Sequence, residues 1–181
     1  MLITKMRAAV ATAAAAAALL AASAGSAAAA PAHWVSPSGF GLYGTNITLT
    51  LNGGQPKTCP TFSLSGWTQN SGSQGSIQFQ GASNATCGGG ELKIWPTATA
   101  STTATGYALT FGPSGFGNWD TVWSVSSSPI SLVPATVPFT NGTPSSVTFN
   151  NTPIGTRISG GGTIAMTGVL QTVLVNQTLA P

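Results

Sequence analysis

Charge is the property this chain most lacks: its 181 residues carry five Lys and Arg, two Asp and Glu and one His. Globular domains ordinarily give about a quarter of their positions to charged side chains, so the exterior here must be covered by Thr, Ser, Asn, Gln and Gly. With no basic cluster there is no electrostatic footprint for nucleic acid. The single histidine, His33, stands near the start of the chain, which leaves a serine hydrolase without a base in the body of the fold. Glu91 and Asp120 are the only carboxylates a glycosidase could use. Glu91 begins a strand-like segment next to Lys93, and Asp120 sits in NWDTVW between two tryptophans, so solvated or turn roles suit both better than acid and base. Two cysteines and one distant histidine are too few for a metal site. No catalytic, cofactor-binding or metal-binding residue is expected, and the chain reads as non-enzymatic.

Long apolar runs are also missing, except at the start. MLITKMR, with Lys5 and Arg7, leads into AAVATAAAAAALLAASAGSAAAA, the cationic and then small-apolar pattern of a secretory signal peptide. The leader is expected over residues 1–32, cut after Ala32 with Ala30 and Ala32 at the two small positions; a cut nearer Ala28 is the alternative. The expected destination is secreted or extracellular, at or beyond the cell surface after Sec-type export. Residues 33–181 contain no stretch as long as a membrane helix, and their number suits one domain. Lys57, Lys93 and Arg157 against Glu91 and Asp120 leave a net charge of about +1. Such a surface has little repulsion to keep copies apart and few ions to desolvate against apolar material.

Cysteine is scarce too, and the two present, Cys59 and Cys87, would meet an oxidising compartment, where a disulfide is the default. Chain entropy alone gives such a bridge roughly 3 to 4 kcal/mol.

Alternation with period two runs through the rest. TNITLTL, TFSLSGW, SIQFQ, ELKIW, GYALTF and DTVWSV pair apolar with hydroxyl or amide residues, and ISLV, SVTF, GTIAM and VLQTVLVN are further candidates. NGG, SGSQG, CGGG, PSG and NGT punctuate them as turns. No 3.6-residue period appears outside the leader. The chain is predicted to be all-β, a single sandwich or barrel-like domain.

Three echoes suggest an internal duplication: PSGFG at 37 and 113, SIQF and SVTF at 76 and 146, and GGGELKI and GGGTIAM at 88 and 160. They keep one order and a similar offset, as related halves at 37–103 and 113–175 would. Chance likeness among Gly- and Ser-rich turns is the alternative. PSGFG itself reads as a turn entering a strand, its Pro fixing one dihedral and its Gly free to take a positive one. On the duplicated reading, the closing segment VLQTVLVN, apolar on both faces, is the one most able to exchange between molecules.

Aromatic residues are the remaining signal. Trp67, Trp95, Trp119 and Trp123 are candidate surface-contact residues, and Trp119 and Trp123 are spaced to share a strand face. They form either an exposed platform or part of the core, where Trp is mostly found.

The order of features, an alternating strand, Cys59, PTFSLSG, a Gly/Ser turn, SIQFQGA, Cys87 and a strand ending at Ile94-Trp95-Pro96 before a Thr/Ser-rich stretch, resembles the PraB-like family of exported activators of alkane oxidation. The likeness spans about 37–181 and is best over 45–111. Here Trp95 precedes Pro96, where the family often has the reverse order, and the second half has none of the further cysteines found there. The resemblance implies a secreted accessory protein that aids use of hydrophobic carbon and brings no catalytic residues. The expected partner is therefore a hydrophobic substrate or surface. A self-assembling subunit of an extracellular fibre or biofilm matrix, partnered with itself by strand exchange, and a carbohydrate-binding module are the alternatives.

Overall fold

A computed structural model describes residues 29–79, 85–87, 90–94, 96–112, 118–120, 128–158 and 161–181. Those residues are all-β and include no helix. The strands are β1 (His33–Trp34), β2 (Gly39–Leu51), β3 (Lys57–Ser71), β4 (Gln74–Phe79), β5 (Ala85–Cys87), β6 (Gly90–Lys93), β7 (Thr97–Thr103), β8 (Gly106–Gly112), β9 (Asn118–Asp120), β10 (Ser128–Leu132), β11 (Ala135–Thr140), β12 (Ser146–Arg157), β13 (Thr163–Val173) and β14 (Leu179–Ala180).

Eight of them close an antiparallel barrel in the order β11-β8-β7-β4-β3-β2-β13-β12, with β12 returning to β11 through Phe139↔Val147. The far half of β12 also pairs with β10, which leads through β9 and β6 to β5 as a side sheet. The Cys59–Cys87 disulfide joins β5 back to β3. It therefore fastens the free margin of the side sheet to the barrel wall.

Alternation decides which side of the wall each residue faces. In β3, Phe62, Leu64, Gly66 and Thr68 are buried while Ser63, Ser65, Trp67 and Gln69 are exposed. The long strands change phase at one level. Asn46 in β2 takes a φ of 54° and Asn151 in β12 one of 47°, and Pro60 and Thr61 in β3 are both exposed. In β13, Gly168 has a φ of 148°, and a Cβ there would lie 2.5 Å from Ile47 Cδ1. Asn and Gly are the residues that tolerate positive φ. These bends turn the four long strands from the barrel into the layer covered by the side sheet, as bulged corners do.

The β2–β3 hairpin follows its sequence directly. Asn52 and Gly53 both have positive φ, 53° and 67°, and Gly54 N–H donates to Leu51 C=O at 2.9 Å, the mirror-image turn that Asn-Gly favours.

The barrel is filled by its own rings. Phe149, Phe111, Phe79, Phe40, Trp34 and Phe139 form an unbroken chain with centroid spacings from 5.5 to 6.1 Å. An apolar void of about 20 Å³ remains, lined in part by Phe62, Leu64, Phe111, Phe149 and Met166. Small-molecule pockets run to hundreds of Å³, so this space holds no ligand chamber. Eight strands give an interior just wide enough for side chains to fill.

The outer wall carries hydroxyls and amides. Thr136, Thr110, Thr99, Ser76 and Gln69 stand opposite one another in one rank across β11, β8, β7, β4 and β3, and the Thr110 and Thr136 hydroxyls are 2.9 Å apart. Along this rank, apolar inside and hydroxyl outside is the reverse of a lipid-facing wall. No helix among the described residues is long and apolar enough to cross a membrane.

Of the sequence echoes, SIQF lies in β4 and SVTF in β12. The second PSGFG and residues 1–28 of the expected leader lie outside the described residues. In the first PSGFG, Gly39, Phe40 and Gly41 already belong to β2 and neither glycine has a positive φ. Gly41 is needed for closeness instead, since a Cβ there would lie 2.8 Å from Val173 Cγ2.

Candidate functional site

One end of the barrel is closed by the short ribbon of β1 and β14. Trp34 is buried in it, its indole N–H donating to Ser76 C=O at 3.1 Å. Side-chain amides and hydroxyls hold the C-terminal tail across this end. Gln177 Nε2 donates to Ser38 Oγ at 2.7 Å, Leu179 N–H to Asn141 Oδ1 at 2.9 Å, and Ser145 N–H to Asn176 Oδ1 at 2.8 Å.

Most of the exposed large apolar side chains among the described residues gather at the same end, while Ile158, 68% exposed, stands at the other end beside Arg157. Gly39 stands opposite Trp67 and Gly41 opposite Val173, so Trp67, on β3, and Val173, at the end of β13, flank a lane with no side chains. Trp67 is 53% exposed, and Leu174, just past β13, is 84% exposed. Leu174 has a φ of 74°, and Val175 N–H donates to Val173 C=O at 3.0 Å across it. That is a γ-turn in its rare, strained, positive-φ form. Val175 and Val35 are also exposed, and Tyr43 and Val169 extend the apolar surface along β2 and β13.

The Lys, Arg, Asp and Glu residues of 29–181 lie toward the other end, whereas His33 stands in the ribbon at the apolar end. Lys57 opens β3, roughly 30 Å along that strand from Trp67 at about 3.3 Å per residue. Arg157 closes β12 opposite Ile130, and Glu91, Lys93 and Asp120 lie on β6 and β9 of the side sheet. Leu92 is the residue opposite Asp120, so the register does not pair the two carboxylates.

The four candidate tryptophans part company. Trp67 is on the exposed wall at the uncharged end, whereas the Trp119 backbone pairs with Lys93 and Pro129 in the side sheet. Trp95 and Trp123 lie outside the described residues. Sequence reasoning missed Leu174 and the Gly39–Gly41 lane. The signal for the lane was the pair of glycines at i and i+2 in an alternating strand, which strips one face of side chains.

Comparison with protein-family models, with curated proteins and with solved structures returns no match to this chain.

Proposed function

We propose that the protein is a secreted, non-enzymatic accessory protein that settles on hydrophobic material through its uncharged end. The observation that carries this is the grouping of Trp67, Val173, Leu174 and Val175, all exposed, at the end opposite the charged residues. Adsorption there buries apolar area at about 25 cal/mol per Å² and leaves the Lys, Arg, Asp and Glu side chains hydrated at the other end. The charged end stays in water, so attachment has one orientation. The resemblance to exported activators of alkane oxidation makes hydrocarbon the natural material. The test is partition of the purified protein onto hexadecane droplets, with interfacial tension followed in parallel. Binding no greater than that of an unrelated secreted protein would refute the reading.

A carbohydrate-binding role has its own supporting observation. Trp67 stands between Gly39 and Gln78 across the sheet, with Ser65 and Gln69 on the same face, and a ring with amide and hydroxyl neighbours also suits a sugar. Pull-down on cellulose and chitin with Trp67→Ala as control separates the two. Strand exchange through VLQTVLVN is the weaker route to assembly, because β13 is hydrogen-bonded to both β12 and β2.

A further inference from the structure

The segment just before His33 is part of the folded wall. Ala32 is 0% exposed. Its N–H donates to Ala100 C=O at 3.4 Å, and its carbonyl accepts from Gly75 N–H at 2.6 Å. Pro31 bridges Ser101 in antiparallel sense, and the Ala30 carbonyl accepts from Thr102 N–H at 2.8 Å and from Thr102 Oγ1 at 3.2 Å. Residues 30–32 thus run alongside β7 and lead directly into the buried Trp34.

A cut after Ala32, the position first suggested by the small residues, would remove all of these partners. The buried Gly75 N–H would lose its acceptor, and buried polar groups left unpaired are costly. The cut would also place a new ammonium group on His33, next to fully buried Trp34. A cut after Ala30 would remove the carbonyl that holds Thr102.

We infer that the leader is removed upstream of Ala30, as a cut between Ala28 and Ala29 with Ser26 and Ala28 at the two small positions would do. The mature chain then keeps Ala30–Ala32, which pair along β7, as part of its wall. This inference rests on the reading of the protein as exported, and its tests separate the two.

Full-length protein produced in an exporting bacterium is recovered from the extracytoplasmic fraction, and its N-terminus is read by intact mass and Edman sequencing. A chain starting at Ala29 is expected. A chain starting at His33 overturns the inference but leaves export standing, whereas an unprocessed cytoplasmic chain overturns export as well.

Ala32→Glu gives a second, independent readout. It leaves processing intact if the cut follows Ala28, because position 32 is then outside the recognised small residues. It blocks processing if the cut follows Ala32, and that result overturns the inference. In purified protein starting at Ala29, the same substitution, or deletion of Ala29–Ala32, lowers the thermal midpoint by roughly 10 °C, as loss of several buried bonds predicts. An unchanged midpoint for both variants would show that the segment is not part of the wall.

Discussion

Replacing Leu174 by Gly should improve the fold and impair the proposed function, a pairing that a structural role for Leu174 cannot produce. The side chain is 84% exposed on a residue with a φ of 74°. Holding a non-glycine residue there costs about 1–2 kcal/mol, and Gly returns about 0.5–1 kcal/mol of that as extra backbone freedom in the unfolded chain. The net gain is about 0.5–1 kcal/mol, so the thermal midpoint should rise by about 2 °C. Full burial of a Leu side chain is worth about 1.5–3 kcal/mol. Loss of most of that at a hydrocarbon surface weakens binding by about 2 kcal/mol, or roughly 30-fold. Leu174→Asn, which removes the apolar side chain without adding charge, should lose the same affinity. Droplet partition and thermal unfolding on the same preparations give both numbers. A midpoint lowered by several degrees, or affinity within about twofold of the parent, would refute the argument.

Trp67 provides the aromatic counterpart. About half of an indole's area of about 250 Å² is exposed there, so Trp67→Ala should cost up to about 3 kcal/mol of droplet binding with little change in unfolding. The two glycines of the lane should respond in opposite ways. A Cβ at Gly39 meets nothing within 4 Å, so Gly39→Glu should fold normally while placing a charge beside Trp67 and lowering droplet affinity at least about tenfold. Gly41→Val meets Val173 Cγ2 at 2.8 Å and Val173 O at 3.3 Å and should lower stability by about 1–3 kcal/mol in chemical denaturation. Removing the disulfide with a paired Cys59→Ala and Cys87→Ala change opens a loop with a sequence separation of 28. That should cost about 3.5 kcal/mol and about 7–14 °C in midpoint, yet leave droplet affinity intact, because the bridge lies toward the charged end. Light scattering should find a monomer from micromolar to millimolar concentration, since the ring of eight strands has no free margin and the disulfide holds the β5 margin of the side sheet to β3; ordered polymers would restore the fibre reading.

The all-β class was legible because Ile47, Leu49, Phe62, Leu64, Ile77 and Phe79 alternate cleanly with hydroxyl and amide residues. Three parts of the wall were not. In β7 the inward residues are Ala98 and Ala100, too weakly apolar to mark a face, and β11 contains Pro138. The segment ahead of Trp34 has the composition of a leader, and only its hydrogen bonds to Gly75, Ala100 and Thr102 separate it from one. GTIAM and VLQTVLVN looked like two strands because the alternation slips at Gly168; Thr163–Val173 are one strand, β13, whose bulge absorbs the slip, and Leu174–Asn176 lie beyond its end. Barrel closure was hidden for a related reason, because pairing β11 with both β8 and β12 is a long-range choice that local periodicity does not encode.

The polarity of the molecule was hidden in the same way, although every residue that makes it was visible. Lys57 and Trp67 lie ten positions apart in one segment, and Glu91, Asp120 and Arg157 are scattered over a further stretch of chain. Only the register that sets Gly39 against Trp67, Gly41 against Val173 and Ile130 against Arg157 sorts them to opposite ends. Low total charge by itself would suit any neutral exported protein. An apolar tip far from the few charges that remain is a more specific arrangement, because a charge added beside Trp67 should weaken attachment far more than one added beside Arg157. That asymmetry distinguishes a surface-seated molecule from one whose neutrality is only compositional.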